Sequence, residues 1–396
     1  MYPAVVRILV DYRPALRQRT GVGEYIHQLV RAYTASFTDE EVLLFTSSWR
    51  DRPSATVSAD TGARVIDRRV PVSILNYLWH RREWPPIERL AGAVDVAHAA
   101  HPLLIPARGA AQVVTIHDLF FLSSAEHTRA EIRRDYPALA AAHARRAHAV
   151  ITSTQYGRSQ IASRLGVDPD RVYICPPGAP AWHTLWREPN VPEDGCILFL
   201  GTLEPRKNVG VLLDAYTRAR ARRPALPRLV LAGRATAAAS EWLARLRTAP
   251  LAGHVTHLGY VADASREEVY RSARVLVMPS LDEGFGLPAL EAMAAGVPVI
   301  VSSRGSLPEV VGDAGMQIDP TDVDALADAI DRAVVDREWA MQSARAGLAR
   351  ARTFTWEQSA RTLHRAYRDA VMRRAGLTTA TIGGADERVP PKRSGG

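Results

Sequence analysis

Val275 to Glu291 reads VLVMPSLDEGFGLPALE, and the order of residue types in it decides the fold. Val275–Met278 has the length and branching of a buried strand, Pro279 to Gly286 carries two glycines, and Pro288 opens a helix at a first-turn position. Gly284 and Gly286 let the backbone turn tightly and approach a ligand. The amides of Phe285, Gly286 and Leu287 then point off the positive end of the new helix, a cradle suited to a pyrophosphate. Glu283 and Glu291 flank that cradle. A carboxylate beside a phosphate is electrostatically unhelpful, so the expected work of both is binding sugar hydroxyls, hexose at Glu283 and ribose at Glu291. An ordinary strand–helix turn, with Glu291 as a first-turn dipole partner, is the bland alternative.

Outward from this stretch the same alternation runs through the chain. In the first half the strand candidates are Arg7–Tyr12, Val42–Phe45, Arg64–Asp67, Val94–Ala97, Gln112–Ile116, Ala149–Thr152 and Arg171–Cys175. In the second they are Cys196–Gly201, Arg228–Ala232, His254–Leu258, Val275–Met278, Pro298–Val301 and Met316–Ile318. Helical patterns lie between them, among them Val22–Ala35, Glu131–Ala147, Asn208–Ala221 and Ser265–Ser272. Strands alternating with helices imply α/β architecture with parallel sheets covered on both faces. The proline-rich, aperiodic stretch Pro176–Asp194 reads as a linker. The expected organisation is a first doubly wound domain over 1–178, a linker over 179–194 and a second such domain over 195–355. A closing helix covers 356–375 and a tail, expected to be disordered, covers 376–396. The cleft between two such domains is the natural ligand site.

The second motif is Gly201-Thr-Leu-Glu-Pro-Arg-Lys-Asn208, which follows the first strand of the second domain and leads into a helix. Arg206 and Lys207 are adjacent cations at a helix start, where the dipole disfavours positive charge; a bound anion would account for them. Of the 50 basic residues only Lys207 and Lys392 are lysine, so Lys207 stands against a chain-wide preference for arginine. A solvated pair is the alternative.

Bulk properties restrict the function classes. At 396 residues, 47% apolar and 23% charged, the chain is globular and long enough for two cores. Two cysteines, Cys175 and Cys196, sit in apolar runs with neither metal nor redox spacing and suggest a reducing compartment. No run approaches a membrane-spanning length and no start resembles a signal peptide, so a soluble cytoplasmic protein is expected. The net charge of +8 permits an anionic partner. It is divided almost evenly between the two halves, which argues against a dedicated nucleic-acid surface.

EGFGLPALE and GTLEPRKN together resemble the nucleotide-sugar glycosyltransferases of family 4, from RILVDY at the start to the helix near Trp356. The resemblance implies a GT-B fold: two Rossmann-like domains facing across a cleft, with a C-terminal helix packing back on the first. It implies that Arg206 and Lys207 neutralise the donor diphosphate with help from the amides of Phe285–Leu287. Glu283 would lie near the transferred sugar and Glu291 on the ribose. The first-domain loop Thr20-Gly21-Val-Gly23-Glu-Tyr25 is similar to the glycine loop that reaches the diphosphate from the opposite wall. His117-Asp118 is similar to the residues beside the donor sugar, and Leu258-Gly-Tyr-Val261 to a loop on the base, making Tyr260 a candidate base contact. Many members carry arginine directly after the glycine of the first phosphate motif, where this chain has Thr202. The GTLEPRKN variant is similar to a subgroup associated with GDP-mannose. The implied reaction is retaining transfer of a hexose, without metal or other cofactor, from a nucleotide-sugar to a glycan, lipid-linked or small-molecule acceptor. A UDP-sugar-dependent enzyme of the same fold, or a non-catalytic nucleotide-sugar-binding protein, is the alternative.

Weaker signals have structural explanations beside them. Gly21-Val-Gly23 is half of a dinucleotide fingerprint and alone reads as a flexible loop, and His117-Asp118 alone reads equally as a turn pair. Asp168-Pro-Asp170 and Asp322-Val-Asp324 look like metal motifs but sit where caps want aspartate. Trp79-His-Arg-Arg-Glu-Trp84 and Arg133-Arg134 mix aromatics with cations as a surface resting on an anionic bilayer would, peripherally at the inner membrane face; a solvated helix face is the alternative.

Overall fold

β-branched and leucine-rich runs bounded by glycine, proline and caps form two parallel sheets. The computed structural model describes residues 6–16, 21–122, 135–180, 182 and 188–377. The first sheet comprises β1 Arg7–Asp11, β2 Glu41–Thr46, β3 Arg64–Asp67, β4 Val96–Ala99, β5 Ala111–Thr115, β6 Ala149–Thr152 and β7 Val172–Ile174, in the order β3-β2-β1-β4-β5-β6-β7. The second comprises β8 Cys196–Leu200, β9 Leu229–Ala232, β10 Val255–Gly259, β11 Ala273–Met278, β12 Val299–Ser302 and β13 Met316–Ile318, in the order β10-β9-β8-β11-β12-β13. Every named pairing is parallel. Alternate residues of one strand enter opposite cores, Ile8 and Val10 on one face and Leu9 on the other, which is why the strands read as continuous apolar runs. Ile197 and Phe199 against Leu198 and Leu200 repeat this in the second sheet.

The helices that shape the site are α1 Val22–Ser36, α2 Val72–Arg82, α3 Tyr136–Arg146, α4 Gln155–Leu165, α5 Val209–Arg222, α6 Asp263–Arg271, α7 Leu287–Ala294, α8 Leu307–Val311 and α9 Trp356–Arg374. α9 carries the chain from the second domain back to the first. Its Ala360, Leu363, Ala366, Tyr367 and Ala370 join the core made by Tyr25, Leu29 and Tyr33 of α1. Tyr367 is hydrogen-bonded to His98 Nδ1 at 2.7 Å, and Tyr173 donates to Asp369 at 2.6 Å. This is the GT-B architecture, two Rossmann-like domains with a returning terminal helix. No helix among the described residues is long and apolar enough to cross a membrane.

Three expectations shift. The strand read as Val94–Ala97 is β4, two residues later, because His98 is a buried strand residue held between Thr115 and Tyr367. The glycine loop is the start of α1: Gly21 precedes the helix at φ +51°, and Gly23 lies in its first turn, where a Cβ would sit 2.9 Å from Pro14 O. The helix read as Glu131–Ala147 begins at Tyr136 among the described residues; residues 131–134, including Arg133-Arg134, lie outside them, as do Thr20 and most of the tail. Asp168 and Asp322 are caps, accepting from Asp170 N and Ala325 N at 2.9 Å each.

Candidate active site

In each sheet the strand order reverses next to its first strand, between β1 and β4 and between β8 and β11. Ligands of open α/β sheets bind outside the carboxyl ends of strands at such switch points. Both motifs of the second domain leave from this place, one after β8 and the other after β11. Leu281 N donates to Arg206 O at 2.8 Å, and Asn208 Nδ2 to Pro279 O at 3.1 Å, tying the two loops together. The carbonyl of Gly201 is closely approached: a Cβ on Gly233, which follows β9, would lie 1.9 Å from the Gly201 oxygen.

Arg206 and Lys207 occupy a single 3-10 turn, with Asn208 at φ +58° before α5. Lys207 Nζ lies 2.5 Å from Glu283 Oε1; Arg206 Nη1 donates to Glu283 Oε2 and Asp282 O at 2.9 Å each, and Nη2 to Glu204 at 2.9 Å. Glu283, Lys207 and Arg206 are all largely buried, with side-chain exposures of 6%, 11% and 14%. Burial alone would raise the Glu283 carboxyl, but the charges of Lys207 and Arg206 outweigh it and hold the group below the usual carboxylate range. The sequence reading gave Glu283 and the two cations separate work; the fold joins them in one ionic cluster. Arg206 also lies over the Phe120 ring of the first domain, 5.3 Å from its centroid.

Gly286, at φ +98°, precedes α7, and Pro288 stands in its first turn. The Phe285 ring turns into the core, edge-on to Phe354 at 5.7 Å. Among the described residues no backbone carbonyl accepts from the amides of Phe285, Gly286 or Leu287. Glu291, one turn into α7, accepts from Arg266 at 2.9 Å and Tyr270 at 2.7 Å. Burial, only partly offset by Arg266, raises its carboxyl. Tyr260, at the end of β10, is 40% exposed and stacks with Arg234 at 4.8 Å. Arg266, Tyr270 and Arg234 escaped the sequence reading; Arg266 is three residues into a helix and carries no motif.

The first domain supplies the opposite wall. His117 follows β5 and meets Tyr25 of α1 edge-on at 5.1 Å. Burial drives its pKa down to about 4, against the opposing charge of Asp118, so the ring is neutral at pH 7. His117 Nε2 and, across the cleft, Arg206 Nε are enclosed polar atoms with no hydrogen-bond partner among the described residues. The two walls touch at Gly284: a Cβ there would lie 2.0 Å from His117 O and 3.0 Å from Asp118 Cβ. Gly284 is therefore glycine for close approach between domains. Of the two tryptophans in the aromatic–cation stretch, Trp79 is 1% exposed and donates to Pro85 O at 3.1 Å, so only Trp84 remains at the surface, beside Arg81 and Arg82.

The glycosyltransferase family 4 model matches residues 19–181, and the model of glycosyl transferases group 1 matches residues 194–336. The chain is 32% identical over 384 residues to an O-antigen chain mannosyltransferase B of Escherichia coli, covering 89% of this chain and 97% of that protein. It is 35% identical over 244 residues to a D-inositol 3-phosphate glycosyltransferase of Stackebrandtia nassauensis, 57% of this chain and 55% of that one. Among solved structures, sucrose-phosphate synthase from Thermosynechococcus elongatus superposes with TM-score 0.70 at 22% identity, covering 92% of this chain and 98% of that one. WaaG, a glycosyltransferase involved in lipopolysaccharide biosynthesis, superposes with TM-score 0.68 at 18% identity, covering 90% and 98%. Sequence, fold and cleft agree: the chain belongs to glycosyltransferase family 4, close to its mannosyltransferases, and is a hexosyltransferase with the GT-B fold.

Proposed function

We propose that the enzyme transfers mannose from GDP-mannose, with retention at the anomeric carbon and without a divalent ion, to a hydroxyl of a glycan or lipid-linked acceptor. The carrying observation is the position of the Arg206–Lys207–Glu283 cluster beside the unoccupied amides that begin α7. Departure of the nucleoside diphosphate places negative charge on its outer phosphate. Lys207 and Arg206 stabilise that charge in place of Glu283, together with the positive end of α7. The Glu283 carboxylate released by this exchange lies beside the sugar, where it stabilises an oxocarbenium-like state. His117, neutral and with Nε2 unengaged, donates to or accepts from a sugar hydroxyl rather than acting as a base. Gly21 and Gly23 at the start of α1, with Asp118, complete the first-domain wall. Glu291 and Tyr260 take the nucleoside end, ribose and base respectively.

A lipid-linked acceptor is favoured by one surface. Val72, Ile74, Tyr77 and Trp84 are exposed on and after α2, beside Arg81 and Arg82. The inner face of the same helix reaches the end of β1, where Asn76 accepts from Arg13 at 2.8 Å. Apolar side chains mixed with cations suit the surface of an anionic bilayer.

GDP-mannose, UDP-glucose, UDP-N-acetylglucosamine and ADP-glucose, each with EDTA present, form the test. One donor should stabilise the enzyme thermally and release nucleotide, and should do neither with Arg206→Ala/Lys207→Ala. Binding that requires a divalent ion, or binding untouched by the double substitution, overturns the reading.

A further inference from the structure

The seam between the domains is closed by a helix start whose amides are completed from the other side. Thr154 caps α4 of the first domain, its Oγ1 accepting from Gly157 N at 3.0 Å. The preceding amides, Gln155 N and Tyr156 N, donate at 2.7 and 3.0 Å to the two carboxylate oxygens of Glu309, on α8 of the second domain. Beside this contact, Ser153 Oγ and Thr154 Oγ1 donate to Gly284 O at 3.1 and 3.2 Å, and Tyr156 Oη donates to Asp282 Oδ1 at 3.2 Å. The hydroxyls of Ser153, Thr154 and Tyr156 thus grip the residues on both sides of Glu283.

We propose that Glu309 is a positioning residue: its carboxylate latches onto the N-terminus of α4 and holds the Asp282–Gly284 loop against His117 in the closed enzyme. Among the described residues that carboxylate makes no other hydrogen bond or ion pair. Among the described residues, the hydrogen bonds of that side chain are therefore all across the seam. A carboxylate at a helix N-terminus is favoured by the dipole and by the unpaired amides there. The contact is also reversible. On opening, Gln155 N and Tyr156 N pass to water, Thr154 keeps its cap and α4 stays intact. Glu309 lies more than 150 positions from the amides it meets, so no local pattern marks it.

The inference rests on the proposed function only in giving the loop around Glu283 a donor to meet. Loss of the latch lowers the closed population before donor binds, so the apparent KM for donor rises by the same factor while kcat at saturation is kept. For Glu309→Ala that factor is expected on the order of tenfold, with Glu309→Gln in between because one acceptor oxygen remains. The test is small-angle scattering of the ligand-free wild type, Glu309→Ala and Glu309→Gln, with thermal unfolding and donor kinetics of each. The expected result is a larger radius of gyration for Glu309→Ala without ligand, a smaller change for Glu309→Gln, unchanged unfolding midpoints and a rise confined to KM. Scattering identical to wild type overturns the latch, whether or not the midpoint falls. So does a loss of kcat with KM unchanged. The ligand-free arm is independent of donor identity: an opened Glu309→Ala with no donor bound leaves the latch standing and removes only the proposed function.

Discussion

Lys207 Nζ lies 2.5 Å from Glu283 Oε1, joining the only lysine before the tail to the glutamate that precedes Gly284 in the strand–helix turn. A buried ion pair is a poor source of stability, since desolvation of both charges offsets their attraction. Among the described residues it lies next to amides that no backbone carbonyl engages and an Arg206 Nε without a partner; under the proposed function it holds the place of the donor's anion.

Glu283→Gln removes the internal competitor of both cations. Turnover should fall on the order of 100-fold, because charge stabilisation near the sugar is lost. GDP binding should be kept or strengthened, and the rise in unfolding temperature on adding GDP should exceed that of the wild type. Steady-state kinetics with a thermal-shift titration separates the two effects; loss of GDP binding in this variant contradicts the exchange.

Arg206→Ala should lower kcat/KM by about 3 kcal/mol, on the order of 100-fold. Arg206→Lys should recover only part, since a point charge cannot serve Glu283, Glu204 and the Asp282 carbonyl together. Kinetics of the pair against wild type checks this, and equal activity of Arg206→Lys and wild type would show that the forked geometry is irrelevant.

Gly284→Ala places a methyl within 2.0 Å of His117 O, so the domains should no longer meet there. A loss of kcat/KM of at least tenfold is expected with each domain still folded, because the strain is relieved by opening. Circular dichroism and scattering report the fold and the opening; full activity would mean that closure at this point is not required.

Much of this was legible in the sequence. Cys196–Leu200 and Ala149–Thr152 announce themselves because strands covered on both faces carry no polar interruption. Pro288 and Gly286 mark the start of α7 for the same local reasons. His98 hid the end of β4, since its partners Thr115 and Tyr367 are far along the chain. Glu283 with Lys207, Glu291 with Arg266 and Glu309 with α4 are products of the sheet order and the domain arrangement. Their separations of 76, 25 and 154 positions leave no local pattern to read.

Asp11, at the end of β1, gives the fold a pH dependence. Burial raises its carboxyl, but the charge and hydrogen bonds of Arg13, with His101, outweigh that and hold it far below the usual range. A depressed folded pKa contributes stability that is complete above the unfolded value, about 3.9, and is lost as pH falls below it. Asp11→Asn should therefore cost about 3–5 kcal/mol near pH 7 by removing the carboxylate that balances the buried Arg13 charge. The gap to wild type should narrow as pH is lowered through 4 towards 3, read as unfolding midpoints at each pH. A gap that widens on acidification contradicts this assignment.

The central claim, that Lys207 leaves Glu283 for the donor diphosphate without a metal, is tested most directly by calorimetric titration of GDP in EDTA. Wild type should bind, Lys207→Ala should bind on the order of 100-fold more weakly, and Glu283→Gln should bind at least as well as wild type. Equal affinity of wild type and Lys207→Ala, or binding that appears only when a divalent ion is restored, would contradict it.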